Sequence, residues 1–129
     1  MSETFGTRSW LKEIRLKKAE KLLEIDFDDG RTFDYPAELL RVESPSAEVM
    51  GHAPDQKQIV AGRRHVGILA VEPVGHYAVR IKFDDLHDTG IFSWEYLRQL
   101  GETQEKVWAD YLANLEARGL SREPPARKS

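Results

Sequence analysis

Leu22-Leu23-Glu24-Ile25-Asp26-Phe27-Asp28-Asp29-Gly30-Arg31-Thr32-Phe33-Asp34-Tyr35-Pro36 is the stretch on which the fold turns. Leu23, Ile25 and Phe27 alternate with Glu24 and Asp26, the period of a strand with one buried face. A second alternating run after Gly30 carries Phe33 and Tyr35. The loop length fixes how the two runs meet. A two-residue loop would set Phe27 opposite Thr32 and throw the apolar sets onto opposite faces. A three-residue loop of Asp28, Asp29 and Gly30 pairs Ile25 with Phe33 and Leu23 with Tyr35. Only the second register builds one apolar face. It also puts Gly30 at the left-handed position such a turn requires.

Outward from this hairpin, Pro36 reads as the first residue of a short helix, where its missing N–H costs nothing. Ala37-Glu38-Leu39-Leu40-Arg41 continues that helix, and Ser44-Pro45 ends it. Residues 45–65 form a long polar connection with Pro45, Gly51, Pro54 and Gly62, of the kind that is functional or loosely ordered. A second hairpin follows. Val66, Ile68 and Ala70 interleave with Leu69 and Val71, which predicts a strand covered on both faces. Pro73-Val74-Gly75-His76 reads as its turn, and Tyr77, Val79, Ile81 and Phe83 alternate with Ala78, Arg80 and Lys82. After a turn from Asp84 to Gly90 and a short strand at Ile91-Phe92, Ser93 is an N-cap for a helix over 94–100 that Gly101 stops. The last element is an amphipathic helix with Val107, Trp108, Tyr111, Leu112 and Leu115 on one stripe. Thr103 is its expected cap and Gly119 its terminator.

The expected architecture is therefore α+β, a small, mainly antiparallel β-sheet domain built from two hairpins, with short helices and a C-terminal amphipathic helix. Its organisation reads as a flexible lead-in over 1–12, a domain over 13–101, a helix over 102–119 packed on it, and a disordered tail over 120–129.

Composition narrows the function. The chain has 129 residues, 40% hydrophobic and 32% charged, enough for one globular core. It contains no cysteine, which removes disulfides, thiolate metal sites and cysteine nucleophiles together. With no apolar run of bilayer length and no signal-peptide pattern at Met1–Thr7, a cytoplasmic protein without membrane contact is expected. The net charge of −3 disfavours nucleic-acid binding through phosphate neutralisation. Basic spots occur at Arg15, Lys17, Lys18 and Lys21, and again at Arg63-Arg64-His65. Each reads more simply as a solvated strand or loop face.

A complete catalytic set is missing. No serine sits in a Gly-x-Ser-x-Gly elbow, and Gly62-Arg63-Arg64-His65-Val66-Gly67 lacks the lysine and the strand-to-helix setting of a phosphate loop. Metal binding has one candidate. Among His52, His65, His76 and His87, the last lies in Asp84-Asp85-Leu86-His87-Asp88, and imidazole with carboxylate is a ligand set for zinc or non-haem iron. The simpler reading is a polar turn whose aspartates accept backbone hydrogen bonds. Trp94, at a helix start beside this turn, is a candidate recognition residue along with Arg63, Arg64, His87 and Asp88. Trp108 and Tyr111 read as core.

The order of these pieces resembles the gamma-butyrobetaine hydroxylase N-terminal-like family. The resemblance rests on Asp26-Phe27-Asp28-Asp29-Gly30-Arg31, on Pro36-Ala37-Glu38-Leu39-Leu40-Arg41 and on Pro73-Val74-Gly75-His76-Tyr77-Ala78. Above all it rests on Phe83 through Leu97, which holds His87-Asp88-Thr89-Gly90-Ile91-Phe92-Ser93-Trp94-Glu95-Tyr96-Leu97. It implies a small β-rich domain found in three settings. These are ahead of the catalytic domain of carnitine-pathway dioxygenases, fused to Mrp-type ATPases that handle iron–sulfur clusters, and as a stand-alone bacterial protein. The present length matches the last.

In the dioxygenases the resemblance implies a structural zinc held by three cysteines, from a Leu-Arg-x-x-Cys-Pro-Cys-x-x-Cys run, and one histidine. Here the run reads Leu40-Arg41-Val42-Glu43-Ser44-Pro45-Ser46-Ala47-Glu48-Val49. Ser44, Ser46 and Val49 stand at the thiolate positions and His87 at the histidine position. Serine hydroxyls do not replace thiolates as zinc ligands at neutral pH. A lost zinc site is therefore expected, with no metal or cofactor and with Ser44, Ser46 and His87 close in space.

These readings lead to a non-enzymatic accessory or protein-interaction module with a protein partner, linked to iron–sulfur cluster maturation or to a larger enzyme. The alternative is a metal- or small-molecule-binding protein using the His87 acidic turn.

Overall fold

A computed structural model of the chain describes residues 11–51 and 57–124. Six strands and four helices follow in the order β1 (Leu11–Lys17), β2 (Leu22–Phe27), β3 (Thr32–Pro36), α1 (Ala37–Val42), α2 (Ala47–Met50), β4 (Ile68–Val74), β5 (Ala78–Phe83), β6 (Ile91–Ser93), α3 (Trp94–Glu102) and α4 (Gln104–Ala117). They make two three-stranded antiparallel sheets, β1-β2-β3 and β4-β5-β6. The expected α+β class, with its hairpins and C-terminal helix, is what forms.

The β2–β3 register is the one the apolar alternation demands. Ile25 faces Phe33 and Leu23 faces Tyr35, Phe27 N–H donates to Arg31 O at 2.8 Å, and Gly30 has φ +92°. Leu23, Ile25, Phe27 and Tyr35 are wholly buried, and they share one core with Ile81, Phe83 and Phe92 of the second sheet and with Leu39, Leu40 and Leu97. Burial of this apolar surface, at roughly 25 cal/mol per Å², is the main stabilising term. Tyr35 seals the join to α3 by donating its hydroxyl to Leu97 O at 2.5 Å. Burial pushes that phenol well above its usual pKa.

Several expectations need correction. Leu11 and Lys12 belong to β1 rather than to a lead-in; residues 1–10 lie outside the described set. The strand escapes a periodicity reading because a bulge between Leu11 and Glu13 breaks its alternation. Pro36 ends β3 and caps α1, with φ −61° and ψ 145°, instead of opening the helix. The connection 45–65 contains the one-turn helix α2. Strand β4 is an edge strand running to Val74, so Pro73 sits in it at no cost to the ladder, and Leu69 beside its bulge is 49% exposed.

Gly101 does not stop α3, which runs on to Glu102. Its role is space: a Cβ there would lie 2.7 Å from both Phe33 Cγ and Tyr35 Oη. Thr103 does not cap α4 through its side chain but donates its hydroxyl back to Gln99 O at 2.8 Å.

Gly119 does terminate α4. With φ +66°, it lets Leu120 N–H reach Leu115 O and its own N–H reach Glu116 O, a Schellman ending. The chain beyond is held as far as Glu123, contrary to the expectation of disorder from residue 120. Gly62 N–H donates to Ser121 O, Arg64 N–H to Arg122 O, and Arg122 makes a two-pronged bond with Glu38. Residues 125–129 lie outside the described set. None of the described helices is long and apolar enough to cross a membrane.

Candidate functional site

Helix α1 is buried on all sides, including its charged members Glu38 and Arg41, and the chain leaving it keeps Glu43, Ser44 and Ser46 buried too. Buried polar groups are costly unless paired. Each of these five finds its partner on a distant segment. Glu38 takes Arg122, Arg41 takes Asp85, Glu43 takes Lys57, and Ser44 and Ser46 both face His87.

The centre of this arrangement is the turn joining β5 to β6. Leu86 N–H donates to Phe83 O and Phe83 N–H to His87 O, both at 3.0 Å, while Asp84 N–H is tied to Gly67 O. Leu86 takes φ +74°, a left-handed conformation that is strained for leucine, and is 83% exposed. That tight turn aims the imidazole inward. His87 Nε2 lies 3.1 Å from Ser44 Oγ and 3.4 Å from Ser46 Oγ. A single ring nitrogen offers one hydrogen-bonding position, so it serves the nearer hydroxyl first. Behind Ser44 stands Gly90, where a Cβ would come within 2.2 Å of the Ser44 hydroxyl. The sequence therefore needs glycine three residues after the histidine for the serine to fit.

Asp85 organises the other side of the turn. Its Oδ1 accepts His87 N–H at 3.1 Å, and its Oδ2 accepts Arg41 Nε at 2.8 Å and Arg63 Nε at 2.7 Å. Burial alone would raise this carboxyl, but the His87 amide and the two guanidiniums outweigh it and hold the group below the usual carboxylate range. The Arg41 side chain is only 10% exposed, and its Nη1 is buried without a partner among the described residues. The pairing with Asp85 is therefore what makes that charge tolerable there.

A serine 3.1 Å from a histidine is the first half of a nucleophile–base pair. Ser44 has no exposed surface, so its hydroxyl is closed to a substrate. The acidic turn spends Asp85 internally and leaves Asp84 and Asp88 at the surface. Among the described residues, no group of three or more histidine and carboxylate side chains is arranged to hold a metal ion.

Of the other candidates, Val49 and Arg63 stay beside the cluster and the rest are dispersed. Val49 is buried in α2, its N–H on Ser46 O. Trp94 is half-buried against the core and donates its indole N–H to His76 O at 2.9 Å. Arg63 is committed to Asp85, and Arg64 pairs with Glu123 at 2.6 Å. Arg15 and Lys17 pair with Glu24, and Lys21 reaches His65 O. His65 and His76 are exposed and far along the chain from the serines, and His52 lies outside the described residues. Sequence reasoning overlooked Arg41, Asp85 and the Glu38–Arg122 pair as a set. The one available signal was the presence of charged residues on a short helix too apolar to face solvent.

The sequence profile described as gamma-butyrobetaine hydroxylase-like, N-terminal, matches residues 14–98. The chain belongs to this family. Solved structures agree over most of its length. Two solution NMR structures are 44% and 43% identical, with TM-scores of 0.79 each. The first match covers 92% of this chain and 94% of that one, the second 100% and 96%. A crystal structure of a protein with unknown function from Acidithiobacillus ferrooxidans, of the DUF971 family, is 46% identical with a TM-score of 0.60, covering 70% of this chain and 91% of that one. No curated protein matches significantly. The gamma-butyrobetaine hydroxylase-like domain is thus an N-terminal, accessory type of unit, and the Ser44–His87 cluster lies within its matched span.

Proposed function

We propose that this gamma-butyrobetaine hydroxylase-like domain is a non-enzymatic accessory module that acts by binding a protein partner. In it, the position of the family's zinc run is held by hydrogen bonds in place of a metal. The observation that carries the reading is the convergence of Ser44, Ser46 and His87 at 3.1 and 3.4 Å with Ser44 wholly enclosed. Ser44, Ser46, Val49 and His87 are the four positions at which the resemblance puts zinc ligands. Two of them now form a buried hydroxyl pair on one imidazole, and Val49 is part of the apolar interior. Hydroxyls keep their protons at neutral pH and are poor zinc ligands, but they satisfy an imidazole well. The cluster is read as a polar pin between the chain after α1 and the β5–β6 turn.

The partner is proposed to be a component of iron–sulfur cluster maturation or of a larger enzyme, the company in which domains resembling this one are found. That inference is one of analogy. The cytoplasm is the compartment that suits a chain with no cysteine. The test is isolation of the chain, expressed at its natural level, after chemical cross-linking in the cell. A reproducible protein partner in near-equal amount is expected. Recovery of the chain alone, or turnover of a substrate by the purified chain, would overturn the reading.

A further inference from the structure

The stripe expected on α4 does not go wholly into the core. Tyr111 and Leu115 are buried and Val107 is half-buried, but Leu112 is 39% exposed and Trp108 only partly covered. These last two, with Ala109, form one wall of a groove of about 500 Å³ whose other wall is Pro36 and Leu39. Arg122 closes one side, its guanidinium 5.2 Å over the Trp108 ring and bonded through two nitrogens to Glu38, so that its charge is already neutralised.

The charge left over at the rim has one sign, since Lys106 beside Glu105 is paired with Asp110 at 2.9 Å. Glu105 lines the groove, and Glu116 lies one turn beyond Leu112 on the same helix face. Asp34, next to Pro36, lines a shallower depression that shares Gln104 and Glu105 with the groove. Among the described residues, Glu105, Glu116 and Asp34 are all exposed and pair with no cation. An apolar trough bordered by unpaired carboxylates repels phosphate-rich surfaces. It also opposes a symmetric contact with a second copy, which would set like charges against one another in a chain of net charge −3.

From this we infer that the α1–α4 groove docks an amphipathic segment of a protein partner, with large aliphatic or aromatic anchors seated against Trp108 and Leu112 and lysine or arginine meeting Glu105, Glu116 and Asp34. Apolar anchors supply the affinity and the charged rim sets the choice of partner. The inference rests on the accessory-module reading and names its surface.

The probe is a synthetic helical peptide with leucine on one face and lysine on the other, compared with the same peptide carrying glutamate for lysine. Nitrogen–proton correlation spectra of the full chain report the site. The leucine–lysine peptide is expected to shift the Trp108 indole and the Ala109 and Leu112 amides, and the glutamate peptide to leave them still. Leu112→Glu is expected to weaken the peptide at least about tenfold, as is the double variant Glu105→Lys/Glu116→Lys, while Leu69→Glu on the β4 edge leaves it unchanged. Equal binding of both peptides, binding of neither, or self-association abolished by Leu112→Glu would overturn the inference. A natural partner that holds Leu112→Glu as tightly as the parent chain would overturn the groove alone and leave the accessory reading standing.

Discussion

Replacing Gly90 with alanine tests whether the Ser44–His87 contact is as tight as its geometry implies. The new methyl carbon would lie 2.2 Å from Ser44 Oγ, 3.2 Å from Phe92 Cε1 and 3.4 Å from Ser44 Cβ. The first separation is impossible, so Ser44 must turn away from His87. Ser44 has no exposed surface and no route to water. Overpacking of this kind costs about 1–3 kcal/mol, and stranding a buried hydroxyl costs about 1–3 kcal/mol more. Gly90→Ala alone should thus lose about 2–6 kcal/mol. Ser44→Ala alone should lose about 1 kcal/mol, because Ser46 remains to serve His87.

In the double variant the obstructing oxygen is gone and the nearest Ser44 atom is its Cβ, at an ordinary contact distance. Gly90→Ala should then cost only what the remaining tight contact, Phe92 Cε1 at 3.2 Å, demands, about 1 kcal/mol. Urea unfolding of the four proteins, followed by circular dichroism with equal m-values, gives the coupling. A coupling of about 1–5 kcal/mol is expected, and additivity within about 0.5 kcal/mol would refute the argument.

Three further outcomes follow from the same structure. Asp85→Asn leaves the Arg41 guanidinium, 10% exposed, without its counter-charge. It should cost about 2–4 kcal/mol by urea unfolding, whereas Arg63→Ala at the more exposed end of the same bridge should cost under about 1 kcal/mol. Because the folded state holds Asp85 below its unfolded pKa, its contribution is complete above roughly pH 4 and is lost as pH falls through the folded value. Unfolding free energies measured from pH 6 to pH 3 should therefore decline less steeply in Asp85→Asn than in the parent chain; parallel curves would contradict the assignment. Gly101→Ala, in the last turn of α3, would ordinarily gain up to about 1 kcal/mol from helix propensity. With Phe33 and Tyr35 both 2.7 Å from the added carbon, it should instead lower the thermal midpoint.

The legible parts of this chain were those where one physical rule acted alone. The Ile25–Phe33 register follows from requiring a single apolar face, and the Ser93 cap and Gly119 terminator from local backbone needs. Strand β1 was hidden by its bulge, and Gly101 misled because its glycine serves the packing of Phe33 and Tyr35 rather than a helix end. The meeting of Ser44, Ser46 and His87 was reached only through the family resemblance. Nothing in the spacing of residues 44 and 87 requires it, since long-range pairing is decided by how the two sheets share a core. The fixing of Arg41 by Asp85, and of Glu38 by Arg122 from beyond the last helix, lay out of reach for the same reason.

Whether hydrogen bonds among Ser44, Ser46 and His87 occupy the place of a metal is read from the metal content of untagged protein, purified from zinc-supplemented culture without chelator. Zinc far below one ion per chain is the expected result. One zinc per chain, retained through gel filtration and released together with a loss of thermal stability on adding a chelator, would contradict it.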